Sequence, residues 1–540
     1  MRRFGLLGSS VLACGLVAGA AFGGSLSRPP ALSSPHGSVQ SISCAAAGEC
    51  AAGGGYRQGR RHEAFVVSER NGTWGDGSAV PGIDALSSRI NARVDAISCA
   101  TPGECAAGGY YTDDSGYQQV FVASKTNDHW RNAIAVPGAA VLNTGGIARV
   151  SSTSCPAPRE CAAGGYYTDD SGDRQAFVVS ETNGTWGSAI AVPGTAATGG
   201  LAYIPAAGVT SISCAAPGEC AAGGSYRKGS LHEAFVVSEK NGSWGTAIEV
   251  PGTATLNTGD AVVASISCAA VGECAAGGYY TDGYGDRQAF VVSEANAVWG
   301  TATAMPGTEP PETGGQSDVK TISCAAVGEC AAGGSYTDSG GDLHGFVAGE
   351  TGGTWGTAVT VQGDSTIARV ESISCASPGE CAAGGQYYGA DDLFFHAFVV
   401  SETDGVWGDA IDVPGTVAQR WGVPDVGTVS CPEAGECAAG GYFYPGRFRQ
   451  GTHGFVLSET NGSWGTAVQV PAACVVPSLV GEPIAAAKSL LTISGCRLGA
   501  IKKAYSSRRP GRIAAQTPKP GATLKPRATV ALTVSKGEKP

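Results

Sequence analysis

One motif occurs eight times along the chain, and this repetition constrains the fold more than any other feature. The motif is Cys-x5-Cys-Ala-Ala-Gly-Gly, and successive copies begin 51 to 59 residues apart. Each copy also places a phenylalanine nine residues before a tryptophan, which accounts for eight of the nine tryptophans. Repeats of this length are supersecondary units that bury their apolar faces against their neighbours. The copies begin at Cys44, Cys99, Cys155, Cys214, Cys268, Cys324, Cys375 and Cys431.

Each unit is predicted to hold four β-strands. In the fourth copy these are residues 209–214, 220–226, 233–239 and 244–250. A Pro-Gly turn separates the first two strands. An Asn-Gly pair suits the tight hairpin between the last two, because both residues tolerate positive φ. No part of the repeat has the apolar period of an amphipathic helix, so the repeats are predicted to be all-β.

Side-chain size changes across the unit. The first two strands carry Ser, Ala and Gly, whereas the last two carry Phe, Val and Trp. A wedge-shaped sheet needs small residues at its narrow end, and eight such sheets around one axis form an eight-bladed β-propeller. A β-helix is disfavoured, because ~55 residues is too long for one of its coils. Eight separate sheets are disfavoured too, because a lone four-stranded sheet buries little surface.

The repeat resembles the kelch unit of galactose-oxidase-like propellers. The shared marks are a double glycine that closes the second strand, such as Gly164-Gly165, and a tryptophan that opens the fourth, such as Trp186. The Val-Pro-Gly ending is shared as well. The resemblance covers residues 38–471 and implies a propeller. The repeat departs from kelch in its Cys-x5-Cys, and in a phenylalanine nine residues before the tryptophan where kelch has a tyrosine.

The cysteines indicate an oxidising compartment, since the chain has 19 of them. Each Cys-x5-Cys brackets a short turn between adjacent strands, which permits a disulfide within each blade. Zinc is the alternative, but two ligands per unit are too few and no histidine recurs beside them. We therefore expect no metal and no cofactor. The predicted disulfides are Cys44–Cys50, Cys99–Cys105, Cys155–Cys161, Cys214–Cys220, Cys268–Cys274, Cys324–Cys330, Cys375–Cys381, Cys431–Cys437 and Cys474–Cys496.

Three histidines share one register, two residues before the repeated phenylalanine: His344, His396 and His453. This position begins the third strand. With strands ~4.8 Å apart, neighbouring blades place it more than ~10 Å apart, too far to share a metal ion. Hydrogen bonding at the start of the strand is predicted instead.

The N-terminus is typical of export. Residues 1–23 are predicted to be a signal peptide, with a basic start, an apolar stretch and a small-x-small pattern at Ala18-Gly19-Ala20. Residues 24–37 are a linker. The sequence leaves open whether the segment is cleaved, lipidated at Cys14 or kept as an anchor. No later segment is long and apolar enough to span a bilayer.

The C-terminal segment has a different composition. Residues 474–540 hold 12 Lys and Arg against 2 Asp and Glu, whereas the whole chain has a net charge of −11. Residues 474–537 resemble a PASTA domain through Val476-Pro477-x-Leu479-x-Gly481, a helix predicted around Leu491, and the Gln516-x-Pro518 stretch. The departures are Cys496 and Pro526-Arg527. The resemblance implies binding to peptidoglycan or an anionic wall polymer.

Length variation suggests where a ligand binds. The turns between strands one and two and between strands three and four have constant length, whereas the loops between strands two and three vary. These variable loops lie on one side of a propeller together with the links between blades. Aromatic rings with nearby carboxylates suit sugars. The candidate ligand-binding residues are Tyr111, Asp113, Tyr167, Asp169, Tyr280, Asp282, Arg420 and Trp421.

These features predict a secreted, non-catalytic protein of the bacterial cell envelope. The propeller would bind a glycan or a protein, and the C-terminal module would bind the cell wall. We expect no catalytic residues, no nucleic-acid partner and no membrane span in the mature chain. The alternative is an extracellular glycan-active enzyme, a hydrolase or an oxidase. An oxidase of the galactose-oxidase kind needs a free cysteine, and a sialidase needs an arginine triad; neither pattern is present.

Overall fold

The computed structural model describes most of the chain from residue 36 onward. The predicted signal peptide, residues 1–23, and most of the linker lie outside the described residues. The described ranges are 36–58, 61–87, 91–196, 207–308, 314–361, 367–390, 392–416, 423–443, 452–470, 474–493, 496–520, 522–524 and 528–539.

In each repeat, strands one, two and three pair antiparallel in chain order, and a single parallel pair, Leu343 with Ile367, joins the sheets of repeats six and seven. The first strands are His36–Ala46, Ala92–Thr101, Arg149–Ala157, Gly208–Ala216, Val262–Ala270, Ser317–Ala326, Ile367–Ser377 and Asp425–Glu433. The second strands are Glu49–Gln58, Glu104–Thr112, Glu160–Thr168, Glu219–Lys228, Glu273–Thr281, Glu329–Thr337, Glu380–Tyr388 and Glu436–Phe443. The third strands are Arg61–Arg70, Gln118–Thr126, Arg174–Thr182, Leu231–Lys240, Arg287–Ala295, Leu343–Thr351, Phe395–Thr403 and His453–Thr460.

The fourth strand is interrupted, which corrects the continuous strand predicted from the sequence. In sheet four, the amide of Gly245 donates to Ser238 O at 3.0 Å, and the amide of Ala247 turns away to Pro193 O of the preceding link at 2.8 Å. The proline carbonyl of the recurrent Val-Pro-Gly therefore accepts a hydrogen bond from the next sheet. The first pieces are Thr73–Trp74, His129–Trp130, Thr185–Trp186, Ser243–Trp244, Val298–Trp299, Thr354–Trp355, Val406–Trp407 and Ser463–Trp464. The second pieces are Ser78–Ala79, Ile134–Ala135, Ile190–Ala191, Ile248–Glu249, Thr303–Ala304, Val359–Val361, Ile411–Asp412 and Val468–Val470.

The double glycine lets two backbones and a neighbouring sheet approach closely. A Cβ at Gly224 would lie 2.0 Å from Gly208 O, where the first strand is irregular in register. A Cβ at Gly223 would lie 2.4 Å from Val263 Cγ1 of the next sheet. The same two close contacts occur in the other repeats, so each of the two glycines is required by a different steric conflict. The repeated phenylalanines pack against the second glycine and are among the largest fully buried side chains.

A circle of hydrogen bonds joins the first strands of all eight sheets. In each, a serine hydroxyl accepts from the amide of the first cysteine of the following sheet, at 2.9–3.0 Å. The last bond of the circle runs from the amide of Cys44 in sheet one to Ser430 Oγ in sheet eight, at 2.9 Å. Buried residues of the first and last sheets also form one apolar cluster. The first strands therefore lie nearest the centre, as the small side chains predicted, and the arrangement is consistent with eight blades.

The links between the sheets contain short helices that sequence periodicity did not predict. They span a single turn each, at Ile83–Leu86, Ala139–Leu142 and Thr253–Leu256. Each follows the glycine of a Val-Pro-Gly ending, which adopts positive φ, as at Gly252 with φ 95°. Helices of four residues are too short to give a periodic pattern in the sequence.

The eight Cys-x5-Cys pairs form the eight predicted disulfides, each within one sheet. Cys496 is also disulfide-bonded. The predicted partner is Cys474, whose side chain lies outside the described part of the structure. Each disulfide closes a short loop, for which chain entropy predicts about 2 kcal/mol of stabilisation.

The C-terminal module contains the predicted helix, Ile484–Ile493. Its sheet orders Arg497–Ala504, Thr529–Ser535 and Ile513–Thr517, and a second pair joins Cys474–Val475 to Thr523–Leu524. The motif residues Val476, Leu479 and Leu491 are buried in one core with Ile513, Val530 and Leu532. Gln516 fixes the N-terminal motif, because its amide accepts from Leu479 N and donates to Pro477 O, both at 2.7 Å.

Candidate functional site

The face with constant turn lengths is occupied by repeated structural contacts. In every sheet, the glutamate before the second cysteine accepts a hydrogen bond from the hairpin between strands three and four. The eight distances are 2.7–3.0 Å, as in the bond from Asn241 N to Glu219 Oε1. The turn and the hairpin are thus held together in each sheet, which explains their uniform length.

The opposite face, which we call the variable face, carries aspartate-centred loops between strands two and three. Asp169 is typical: Oδ1 accepts from the amides of Ser171 and Asp173, both at 3.0 Å, and Oδ2 accepts from Gln175 at 2.7 Å. Asp282 has the same three bonds, and Asp113 accepts from the amide of Tyr117 and from the Gln119 side chain. These carboxylates close their own loops, a role that short polar side chains often take in turns.

The predicted ligand-binding tyrosines are largely inside the protein. Tyr111 and Tyr167 are each 8% exposed and belong to the apolar clusters between sheets, and Tyr280 is partly buried. Burial is the main cause that raises the pKa of each of these phenols, with a nearby aspartate adding to it. Their rings offer little surface to a sugar, and among the described residues no hydrogen bond joins one Tyr-Asp pair to another.

Two other tyrosines of the same face are exposed and were missed in the sequence. Tyr117 is 48% exposed and Tyr284 is 78% exposed, and the amide of each donates to the aspartate that begins its loop. In the sequence, these two tyrosines could have been found from their position within the variable loops, outside the repeating register. The two predicted residues Arg420 and Trp421 lie outside the described residues, so their role stays a prediction.

Near the centre of the variable face, a buried carboxylate is held between two arginines from adjacent sheets. Asp95 accepts from Arg93 Nε at 2.6 Å and from Arg149 Nε and Nη2 at 2.7 and 2.8 Å. The Asp95 side chain is 4% exposed, whereas the two arginines are 27% and 32% exposed. Both guanidiniums also lie within 5.7 Å of the centre of the Tyr110 ring. Burial raises the pKa of Asp95 to about 7, and Arg93 acts in the opposite direction.

A second group of charged residues lies at the corresponding positions of the first strands in sheets six to eight. Asp318 accepts from Ser335 Oγ at 2.8 Å and lies 3.8 Å from Lys320 Nζ. Burial and Glu371 raise the pKa of Asp425 to about 7, while Lys320 and Arg369 lower it. Both groups sit at the starts of the first strands, where the links enter. The variable face therefore combines charged groups near the axis with exposed aromatic rings at the loops.

Two of the three histidines contact carboxylates at the start of the third strand, which confirms the predicted hydrogen bonding for these two. His344 Nε2 lies 3.0 Å from Asp338, and His396 lies 3.0 Å from Asp392 and 3.1 Å from Asp412. His453 is 3% exposed and packs beside Phe443. Within the described residues, no group of three or more His, Cys, Asp or Glu side chains could hold a metal ion.

The C-terminal module has an exposed basic surface. Lys502 and Lys503 are exposed on its first long strand, and Arg508, Arg509 and Arg512 are exposed on the following turn. Among the described residues, no salt bridge neutralises these five side chains. A nearby exposed ring, Tyr505, lies 5.4 Å from Lys536 Nζ. Such a surface attracts anionic polymers in a manner that salt screens.

Solved structures with similar architecture include propeller-like proteins. An ulvan lyase of a polysaccharide lyase family is 11% identical, with a TM-score of 0.39, over 68% of this chain and 95% of its own. Chaetomium thermophilum Sqt1 is 9% identical, with a TM-score of 0.41, over 81% and 96%. A Hadza microbial sialidase is 10% identical, with a TM-score of 0.32, over 77% and 75%. At these low scores, none of them assigns a ligand or an activity to this chain.

No curated protein matches the chain significantly. The kelch resemblance of the repeats stays a prediction. Among the described residues, no helix combines the length and apolar character needed to cross a membrane. The family model of the PASTA domain matches residues 475–536. Together with the buried motif residues and the clasp by Gln516 described above, this match identifies the C-terminal module as a PASTA domain.

Proposed function

We propose that this chain is a secreted, non-catalytic protein of the bacterial cell envelope. Its PASTA domain binds peptidoglycan or an anionic wall polymer. Its eight sheets form an eight-bladed, kelch-like propeller that binds a glycan or a protein on the variable face. The disulfides and the PASTA domain are consistent with an extracellular or envelope location.

The observation that carries this proposal is the PASTA match, since PASTA domains typically bind peptidoglycan. Charge supports it, because residues 474–540 hold 12 Lys and Arg against 2 Asp and Glu. The rest of the chain is acidic, so the basic module would be the part that an anionic wall attracts.

The competing function is a glycan-active enzyme, and Asp95 is the observation in its favour. A carboxyl whose pKa is raised to about 7 can act as a general acid near neutral pH. Both oxygens of Asp95, however, accept hydrogen bonds from arginines that hold them in place. We therefore favour a role in positioning the two arginines at the binding face. Release of new reducing ends or unsaturated sugars from a polysaccharide by the full-length protein would contradict the non-catalytic proposal.

Binding to purified cell-wall sacculi tests the role of the PASTA domain. We expect the full-length protein to sediment with sacculi at low salt and to be released toward 1 M salt, where the Debye length falls to about 3 Å. Deletion of residues 474–540 should abolish retention. The double variant Lys502→Glu and Lys503→Glu should weaken it at least fivefold.

A matched control reverses two exposed charges on the repeats, Arg131→Glu with Lys240→Glu. This variant should sediment like the unchanged protein. Retention that survives deletion of residues 474–540, or that salt leaves unchanged, would contradict an electrostatic anchor in this domain.

A further inference from the structure

The repeat is broken at one position on the face with constant turns, where the other repeats have a partly buried residue and the sixth has an exposed one. Near its hairpin, the third strand carries a serine in seven of the eight units, as at Ser180 and Ser238, but the sixth unit has Gly349 in place of the serine. The serine normally joins one sheet to the next. Ser180 Oγ accepts from Trp244 Nε1 at 3.1 Å and donates to Glu239 Oε1 at 2.6 Å, both in the following sheet.

The same contacts recur at other interfaces between sheets. Serine accepts from the next tryptophan at four interfaces, with distances of 2.9–3.2 Å. Serine also donates to the next glutamate at the interfaces that follow Ser124, Ser293 and Ser401, at 2.7–2.8 Å. The hydroxyl therefore fills the space between a buried carboxylate and an indole N–H.

Gly349 removes this hydroxyl from the interface between sheets six and seven. The residues that it would have joined are Glu402 and Trp407, which face each other on paired strands. Among the described residues, neither the Glu402 carboxylate nor the Trp407 N–H has a hydrogen-bond partner. Glu402 is also partly exposed, whereas Glu239 is 2% exposed.

A cleft opens at this position. Its volume is about 220 Å³, and its walls include Gly349, Glu350, Glu402 and Trp407. The cleft at the interface between sheets four and five, where Ser238 is present, measures about 20 Å³. The volume is below the ~300–1,000 Å³ of pockets for drug-sized ligands, so the cleft suits one small group.

The charge of the cleft selects for a cation. Glu329, Glu350 and Glu402 line it, and its lining residues include no lysine or arginine. Burial, together with the neighbouring Glu380, raises the pKa of Glu402, which means that its charge is poorly compensated in the free protein. An aromatic ring beside carboxylates is a common environment for bound ammonium groups.

We propose that the cleft between sheets six and seven binds a small ligand through a primary ammonium group, with Glu402 as its counter-ion and Trp407 as one wall. An amino sugar and a lysine side chain both carry this group. The site is separate from the variable face and from the PASTA domain, and it lies where one repeat has glycine in place of serine.

Isothermal titration of the full-length protein tests this site with three probes: glucosamine, Nα-acetyl-lysine methylamide and glucose. We expect at least one ammonium probe to bind with one-to-one stoichiometry and glucose to bind at least tenfold more weakly. Binding of glucosamine alone would indicate an amino sugar, and binding of the lysine derivative alone would indicate a peptide. Both results support the ammonium site.

Gly349→Ser restores the residue of the other repeats, so it should fold with an unchanged melting temperature. It should weaken binding of the ammonium probe at least tenfold, and Glu402→Gln should do the same without filling the cleft. The matched gain-of-site variant is Ser401→Gly, which opens the next interface beside Glu459 and Trp464 and should add a second binding event. Failure of both ammonium probes to bind the unchanged protein, equal binding by Gly349→Ser, or equal binding of glucose would overturn the proposal.

Discussion

At the residue scale, the most consequential group is the glutamate that follows the repeated serine. It occupies seven of the eight sheets, and in sheet two its place is taken by Lys125, which pairs with Asp128 at 2.9 Å. Burial is the main cause that raises the pKa of all seven carboxyls above their ordinary value near 4.5. They are Glu69, Glu181, Glu239, Glu294, Glu350, Glu402 and Glu459.

Stability should therefore increase on mild acidification. Each of these groups has a higher pKa in the folded protein than in the unfolded chain, so at pH values between the two the folded protein binds more protons. The free energy of unfolding therefore rises as the pH falls through this range, and it falls as the pH rises through the folded pKa. Because all seven groups shift in the same direction, the melting temperature should be higher at pH 5 than at pH 7.5. Thermal melts at fixed ionic strength measure this.

Glu239→Gln is the matched variant, because the amide can still accept the bond from Ser180 while losing the charge. It should melt higher than the unchanged protein at pH 7.5 and show a smaller gain at pH 5. Below about pH 4 stability should fall, since hydrogen bonds from His344 and from the Asp342 amide lower the pKa of Asp338. A melting temperature that falls steadily from pH 7.5 to 5 would refute the assignment.

At the scale of the element, the glycine pair determines how a sheet is built. The second glycine lies against the carbonyl of the first strand at its irregular point, and the first receives a valine from the next sheet. The first strand can bend toward the centre only because no side chain stands opposite it. This requirement explains why both glycines occur in all eight copies although neither adopts positive φ.

Gly224→Ala should destabilise the protein severely, because its Cβ would lie 2.0 Å from a backbone oxygen. The free energy of unfolding should fall by more than the roughly 0.5–3 kcal/mol that is usual for point substitutions. The control is Gly283→Ala, at a glycine with open space around its Cβ position. Chemical unfolding followed by circular dichroism compares the two. Equal midpoints for both variants would show that the backbone approach is not the reason for the motif.

At the scale of the whole molecule, the eight sheets present two faces with different constraints. The face with constant turns is held by eight glutamate-to-hairpin bonds and eight disulfides. The variable face has loops of different length, exposed tyrosines and charged groups near its centre. A large ligand is expected on the second face, where loop residues are not needed for packing.

Tyr117→Ala and Tyr284→Ala should each weaken at least fivefold the glycan or protein binding that we propose for the variable face, with little change in melting temperature. Their rings are exposed, so little packing is lost. The control is Val406→Ala, which removes an exposed apolar side chain from the hairpin of the opposite face. Glycan-array binding measures the effect. Normal binding by both tyrosine variants, together with loss of binding in the control, would place the ligand on the other face.

The sequence by itself determined the number of sheets, three of the four strands in each, the eight disulfides within the repeats and the PASTA domain. These follow from local chemistry repeated at fixed spacing, since turn residues and strand alternation act over a few positions. Only the tertiary structure decided which tyrosines are exposed, because Tyr111 and Tyr284 differ in whether a neighbouring sheet covers them. The same holds for the cleft at Gly349 and for the pairing of Asp95 with Arg149, which lie 54 residues apart. Contacts between sheets depend on how distant parts of the chain pack together, and no local pattern specifies which side chains that packing brings together.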